Sequence, residues 1–296
     1  MEPVARSLRE WHAAAGRACD AGRHAEAREC YARAFALAEA AWSADDAAWV
    51  PLLNNRAVLA KYAGEFELAA SLYGRALTIA QADPAFGPPE LAMLLHNVGG
   101  LAHARGDFAA GEPLARRAVE LSRAAFGPDH PQSLADEVAW AGLLDGLKRY
   151  ADSEPIYRRA LAAWEARGEA LEVAVCCHNL GALCAAQRRW PEADAQYRRA
   201  LSIKQSCLGT AHPDVGLTLH NLGVLCKQRR RLVEAREHLQ QALQIFEAGL
   251  DPQHPHLRAC RRQLAGLSAL EATASPTAPS ARTGHTTTTG YPETAL

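Results

Sequence analysis

Ala34, Ala76, Ala118, Ala160, Ala200 and Ala242 occupy one place in six copies of the same pattern. The copies follow one another every 42 residues, except for the 40-residue step from Ala160 to Ala200. A period of this length constrains the fold more than any other property of the chain. Each copy is one supersecondary unit that cannot bury its apolar face alone, so neighbours must stack. Length by itself would suggest about two globular domains. Stacking overrides that expectation, because a stack lengthens without enlarging a single core.

The sixth copy shows the pattern most clearly. Leu219, Leu222, Gly223 and Cys226 recur at helical spacing and fall within one arc of a first helix. Ala235, Leu239, Ala242 and Leu243 form the stripe of a second helix. The first-helix small residue recurs as Ala15, Ala57, Gly99, Ala141, Gly181 and Gly223. Its second-helix counterpart recurs as Ala27, Ala69, Gly111, Ser153, Ala193 and Ala235. A bulky residue opens each second helix: His24, Phe66, Phe108, Tyr150, Trp190 and Leu232. Small residues let two backbones approach, and the large ones fill the remaining gaps.

This small-large-small register resembles the tetratricopeptide repeat, lengthened here to the kinesin light chain type. The connectors carry the second half of that resemblance: Phe126-Gly127-Pro128-Asp129-His130-Pro131, Leu208-Gly209-Thr210-Ala211-His212-Pro213-Asp214 and Leu250-Asp251-Pro252-Gln253-His254-Pro255. Gly127 and Gly209 suit the left-handed backbone that ends a helix. Pro131, Pro213 and Pro255 suit the first turn of the next one. The resemblance implies an all-α, right-handed superhelical solenoid of six helical hairpins over residues 3–249. A C-terminal capping helix would follow over 250–271, with Arg258, Arg261 and Arg262 as its polar face. Residues 272–296 are rich in Ser, Thr and Pro, a composition expected to be disordered.

Three places depart from the register. The connector Trp42 to Pro51 lacks the Gly-Pro-His-Pro signature, and Arg56 stands where Leu is expected. The fourth copy carries Glu137 and Trp140 at aliphatic positions and ends in the shortened link Glu165 to Val173. A bend of the stack is expected there.

First helices line the concave side in the family the chain resembles. Two residues before the small residue the series is Ala13, Asn55, Asn97, Ala139, Asn179 and Asn221. Three before it, the series is His12, Asn54, His96, Val138, His178 and His220. Helical geometry puts both series on the arc opposite the core. One residue after it come Gly16, Val58, Gly100, Gly142, Ala182 and Val224, a floor of small side chains. Asn can donate and accept at once, which suits the main chain of an extended peptide. Asn55, Asn97, Asn179 and Asn221 are therefore the expected peptide contacts, in the manner of the asparagine ladder of superhelical tetratricopeptide proteins. His96, His178 and His220 edge that row. Lys61, His103 and Lys227 fall one turn further along and would favour an acidic segment. Four hydrogen bonds contribute roughly 2–6 kcal/mol, whereas a micromolar complex needs about 8 kcal/mol, so side-chain pockets must add the rest. The same amides would equally serve to bridge neighbouring hairpins, and the histidines to face solvent.

Other chemistry finds little support. Net charge is −1 with a pI near 6.9 and no basic run, so a nucleic-acid partner is not expected. No stretch approaches the roughly 18 apolar residues of a membrane span, and the opening MEPVARSLREW lacks the apolar segment of a secretory signal. A cytoplasmic protein without cofactor or metal is expected. Eight cysteines form no CxxC pair, and Cys177 and Cys184 share the core stripe of one helix, which suits packing better than zinc. Phosphate-loop, GxSxG and HExxH motifs are missing, so an enzyme is the least expected class. The expectation is a protein-binding scaffold or adaptor. Its rivals are a sensor of small signalling peptides and an assembly subunit that binds through its convex face or ends.

Overall fold

The computed structural model describes residues 2–20 and 23–274. Among these there are thirteen α-helices and no strand. Twelve helices pair as hairpins: α1 (Glu2–Asp20) with α2 (His24–Ala41), α3 (Trp49–Tyr62) with α4 (Phe66–Ala82), and α5 (Pro88–Arg105) with α6 (Phe108–Phe126). The series continues with α7 (Pro131–Gly146) and α8 (Tyr150–Arg167), α9 (Ala170–Ala186) and α10 (Trp190–Leu208), and α11 (Pro213–Gln228) and α12 (Leu232–Gly249). The last helix, α13 (Pro255–Ala274), packs on α11 and α12 in the place of a seventh first helix. It runs a few residues beyond position 271; of the expected tail, residues 275–296 lie outside the described part of the chain.

The six register alanines are all fully buried. So are the small residues that open the second helices. The need for smallness is direct. A Cβ on Gly223 would lie 2.6 Å from Leu239 Cγ and 3.2 Å from the Ala235 carbonyl, and one on Gly181 would meet the Tyr197 ring at 2.8 Å. Interiors packed at this density do not absorb an extra methyl without displacement.

Curvature follows from which helices touch. Successive first helices bring their backbones close all along the stack, α1 with α3, α3 with α5, and so on to α11 with α13, whereas second helices stand further apart and meet only through long side chains such as Arg199 and Glu165. The first helices are therefore the inner layer and line the concave side. The curve is tight enough that the far end returns to the second copy. His254 Nε2 donates to the Tyr62 carbonyl oxygen at 2.8 Å, across 192 residues of sequence. Pro255 packs against Gly64 so closely that a Cβ there would sit 2.6 Å from its Cδ. A cavity of about 490 Å³ lies at this junction, lined by Arg23, Glu26, Arg28, Tyr62, Asp251 and His254 among others.

The connector histidines act as helix caps. Nδ1 of His130, His212 and His254 accepts the backbone N–H of Gln132, Asp214 and His256, at 3.1–3.2 Å. The proline that follows each begins its helix, where no N–H is required. Gly127 and Gly209 do have positive φ, but with ψ near 160° rather than the left-handed helical value. They turn the chain through the extended mirror region that only glycine tolerates. Within the hairpins, Gly64 and Gly106 take the left-handed turn in copies two and three. Lys148, Arg188 and Arg230 are held in the same positive-φ region, at φ near 60°, in the next three copies.

The irregular fourth copy is satisfied by charge. Glu137 is fully buried, and its carboxylate meets Arg123 Nε at 2.6 Å and the Arg159 guanidinium. Trp140 Nε1 donates to Glu112 Oε1 at 3.0 Å. The apolar core is interrupted at the same place: one buried cluster runs from Leu8 to Leu101 and the next from Leu134 to Leu225. In the second copy Arg56 lays its guanidinium over Phe35 at 4.9 Å, taking the place of an aliphatic contact. The atypical first connector is closed by Trp49, which donates from Nε1 to Ser43 O and carries Arg75 over its ring.

Candidate functional site: an interrupted ladder on the concave face

The two polar series of the first helices meet one another across copies. A residue three before the small position bonds the residue two before it in the next copy, 43 positions on. Asn55 Nδ2 donates to His12 Nε2 at 2.9 Å, Asn97 Nδ2 to Asn54 Oδ1 at 2.8 Å, and Asn221 Nδ2 to His178 Nε2 at 3.1 Å. Three of the four expected contact asparagines thus bridge neighbouring first helices. Asn179 does not: the residue that would receive its amide is Val138, and among the described residues it has no hydrogen-bond partner.

A second bond, which the sequence pattern does not announce, supports the first. Histidines of the row also reach a residue five before the small position of the next copy, 40 positions on. His178 Nδ1 meets Thr218 Oγ1 at 3.1 Å, and His96 Nδ1 meets Asp136 Oδ1 at 2.7 Å. Thr218 gives its own proton to the Asp214 carbonyl at 3.0 Å and accepts from Lys204 Nζ at 3.3 Å. It can therefore only accept from His178, which fixes the Nδ1–H tautomer and leaves Nε2 as the acceptor for Asn221. Burial, then the Lys204 charge, lowers the His178 pKa to about 3. Polar residues at that third position would have revealed these partners in the sequence.

The rung after copy three is incomplete on its other side. His96 keeps Asp136, whose Oδ1 also receives Gln132 Nε2 at 2.8 Å, but Ala139 replaces the amide that would approach its Nε2. The Asp136 side chain is fully buried, and its Oδ2 has no partner.

The remaining expected residues divide. The Lys61 ammonium lies over Gly100, 3.4 Å from where a Cβ would stand, and has no carboxylate partner among the described residues. His103 packs edge-on against Phe108 and lies beside Gly142. Burial, then Lys61, lowers its pKa, and burial lowers that of Lys61. Lys227 is drawn away to α13, bonding Gln263 Oε1 at 3.1 Å and its carbonyl at 3.3 Å. His220 is half-buried with Nδ1 unpartnered and its pKa lowered by burial.

The thiols of Cys176, Cys177 and Cys184 are buried, and burial raises their pKa values, that of Cys176 to about 12. Among the described residues no group of His, Cys, Asp and Glu side chains could hold a metal, and no helix is long and apolar enough to cross a membrane.

The arrangement of paired helices can be set beside known proteins. The tetratricopeptide repeat profile matches residues 90–166, 135–206, 172–248 and 214–272. No curated protein sequence is a detectable relative. Similar solved structures include the apo form of RapI, at 10% identity and TM-score 0.59, over 90% of this chain and 99% of that one. A Rap protein complexed with competence and sporulation factor is similar at 13% identity and TM-score 0.59, over 91% and 76%. A variant of a kinesin light chain from Podosopora anserina, with nearly identical TPR-like repeats, is 19% identical at TM-score 0.50, over 63% and 88%. With overlapping profile matches from residue 90 to 272 and an uninterrupted stack of helical hairpins, the chain belongs to the tetratricopeptide repeat family.

Proposed function

We propose that the chain is a non-catalytic interaction scaffold, an adaptor in the cytoplasm, that holds an extended segment of a protein partner in its concave groove. The supporting observation is the composition of the inner layer. The floor is built of small residues at Gly100, Gly142 and Ala182, with Lys61 and His103 laid over the first two and Ala182 exposed, and carboxamide and imidazole groups stand beside it. Such a surface offers main-chain recognition to a segment without secondary structure of its own. Lys61 supplies the positive charge of the groove, with His103 beside it as a neutral hydrogen-bonding ring, and the two would receive an acidic side chain. Lys227 contributes less, since Gln263 already occupies its ammonium.

A second reading is a sensor of short signalling peptides, favoured by the likeness to a Rap protein that is itself complexed with a peptide factor. The two readings share the groove and differ in whether the ligand is free or part of a larger chain. Affinity capture with three versions of the chain tests the shared part. Ala182→Arg fills the concave floor, whereas Gln241→Arg changes the exposed outer face of α12. A partner retained by Gln241→Arg and lost with Ala182→Arg places binding in the groove. The reverse pattern would assign it to the convex face.

A further inference from the structure

We propose that the break in the ladder at the fourth copy is the anchoring point for the partner's main chain, an inference that rests on the groove-binding reading. Elsewhere the ladder is joined across copies: each described rung spends one carboxamide N–H on an acceptor of the preceding copy and so fixes the amide. At the fourth copy both halves are left open, one on each side of α7. His96 presents Nε2 as an acceptor because Ala139 brings no amide to it. Asn179 presents a carboxamide donor because Val138 brings no acceptor. One acceptor and one donor facing the same helix are the complement of an extended peptide, which offers an N–H and a C=O in alternation.

The surroundings fit that occupant. The imidazole of His96 is held from behind by the buried Asp136, whose Oδ1 accepts from Nδ1, so in the neutral ring the proton is on Nδ1 and Nε2 is the acceptor. Between the half-rungs the α7 surface is reduced to Ala135, Ala139 and Gly142. Met93 on α5 and Val175 on α9 flank it, at 40% and 37% exposure, each six residues before its small residue. An apolar side chain of the peptide would sit on the alanine floor between these two. Glu172 stands on the Asn179 stripe of α9, two turns earlier. Its carboxyl pKa is raised by burial and then by Glu169, and is drawn down by His96. Together with Asp136 it disfavours an acidic residue at this step, so any acidic part of the partner lies toward Lys61 and His103.

The test uses the full chain and displayed random peptides, selected on the wild type and then titrated individually. Asn179→Ala should weaken the selected peptides by about fivefold, the worth of one hydrogen bond. Ala139→Asn should weaken them by roughly tenfold or more, because the new amide closes the His96 rung from within. Its melting temperature should hold or rise, which separates displacement from unfolding. Asn55→Ala and Asn221→Ala, whose amides are already engaged, should stay within about twofold. Peptides lost with Ala182→Arg but indifferent to Asn179→Ala and Ala139→Asn would overturn the anchoring point and leave the groove intact. An absence of selected peptides, or peptides indifferent to Ala182→Arg as well, would overturn the groove reading itself.

Discussion

Replacing His178 by glutamine should flatten the acid sensitivity of the fold by a measurable amount. The ring is packed at 5.5 Å against Tyr197, near Lys204 of the same helix α10, and bonds Thr218 and Asn221 of α11. Both bonds use the neutral tautomer, and burial holds the folded pKa at about 3 against roughly 6.5 in the unfolded chain. A lowered histidine pKa means that the unfolded state binds the extra proton first. The stability contributed is fully present above pH 6.5 and is lost as pH falls from there toward 3. At pH 5 the unfolded histidine is almost wholly protonated and the folded one is not, a loss of about 2 kcal/mol from this residue relative to pH 7. Other histidines with lowered pKa values, His256 at about 4 among them, act in the same direction. The difference between wild type and variant isolates His178. Urea unfolding followed by circular dichroism at pH 7 and pH 5 supplies the four free energies. If His178→Gln loses as much stability over this interval as the wild type, the ring is not held neutral and the rung is drawn incorrectly.

The remaining expectations concern the irregular copies. Arg188→Gly should stabilise by about 0.5–1 kcal/mol, because it relieves a side chain held at φ 61°. Gly64→Ala, at the same turn of the second copy, should cost at least about 1 kcal/mol, and small-angle scattering should show an expanded molecule because Pro255 must withdraw. Gly106→Ala, with nothing near its Cβ position, should show the backbone cost without the expansion. At Glu137 the response should be asymmetric. Glu137→Leu restores the usual aliphatic residue and should change stability by less than about 1 kcal/mol, while removing both Arg123 and Arg159 strands a buried carboxylate and should cost about 3–5 kcal/mol. Chemical denaturation of each variant decides these.

The period of the alanines was enough to place the twelve paired helices, because each copy repeats the same packing constraint; which helices form the inner layer came from the resemblance to tetratricopeptide repeats. The connector histidines were legible only as part of a recurring signature; that their Nδ1 atoms cap the following helices depends on the extended backbone at each His, which the sequence does not state. The ladder was only half legible. The sequence marked Asn55, Asn97, Asn179 and Asn221 as equivalent, but a hydrogen bond between copies depends on the residue three before the small position of the preceding copy, and that partner changes from His12 to Asn54 to Val138 to His178. Lys227 looked like Lys61 from its place on the helix, and differs only because Gln263 lies within reach of it. Return of the C-terminal connector to Tyr62 and Gly64 was not legible at all, because it depends on the accumulated curvature of the whole stack.

One distinction separates four chemically identical side chains: Asn55, Asn97 and Asn221 are bonded across copies and Asn179 is not. Hydrogen exchange of the carboxamide groups, resolved by nuclear magnetic resonance of the 15N-labelled chain, measures it directly. Asn55, Asn97 and Asn221 should exchange slowly and Asn179 at close to the rate of a free amide, with Asn179 the one that slows when a groove peptide is added. Equal protection at all four positions, or an unprotected Asn97 and Asn221, would contradict the interrupted ladder.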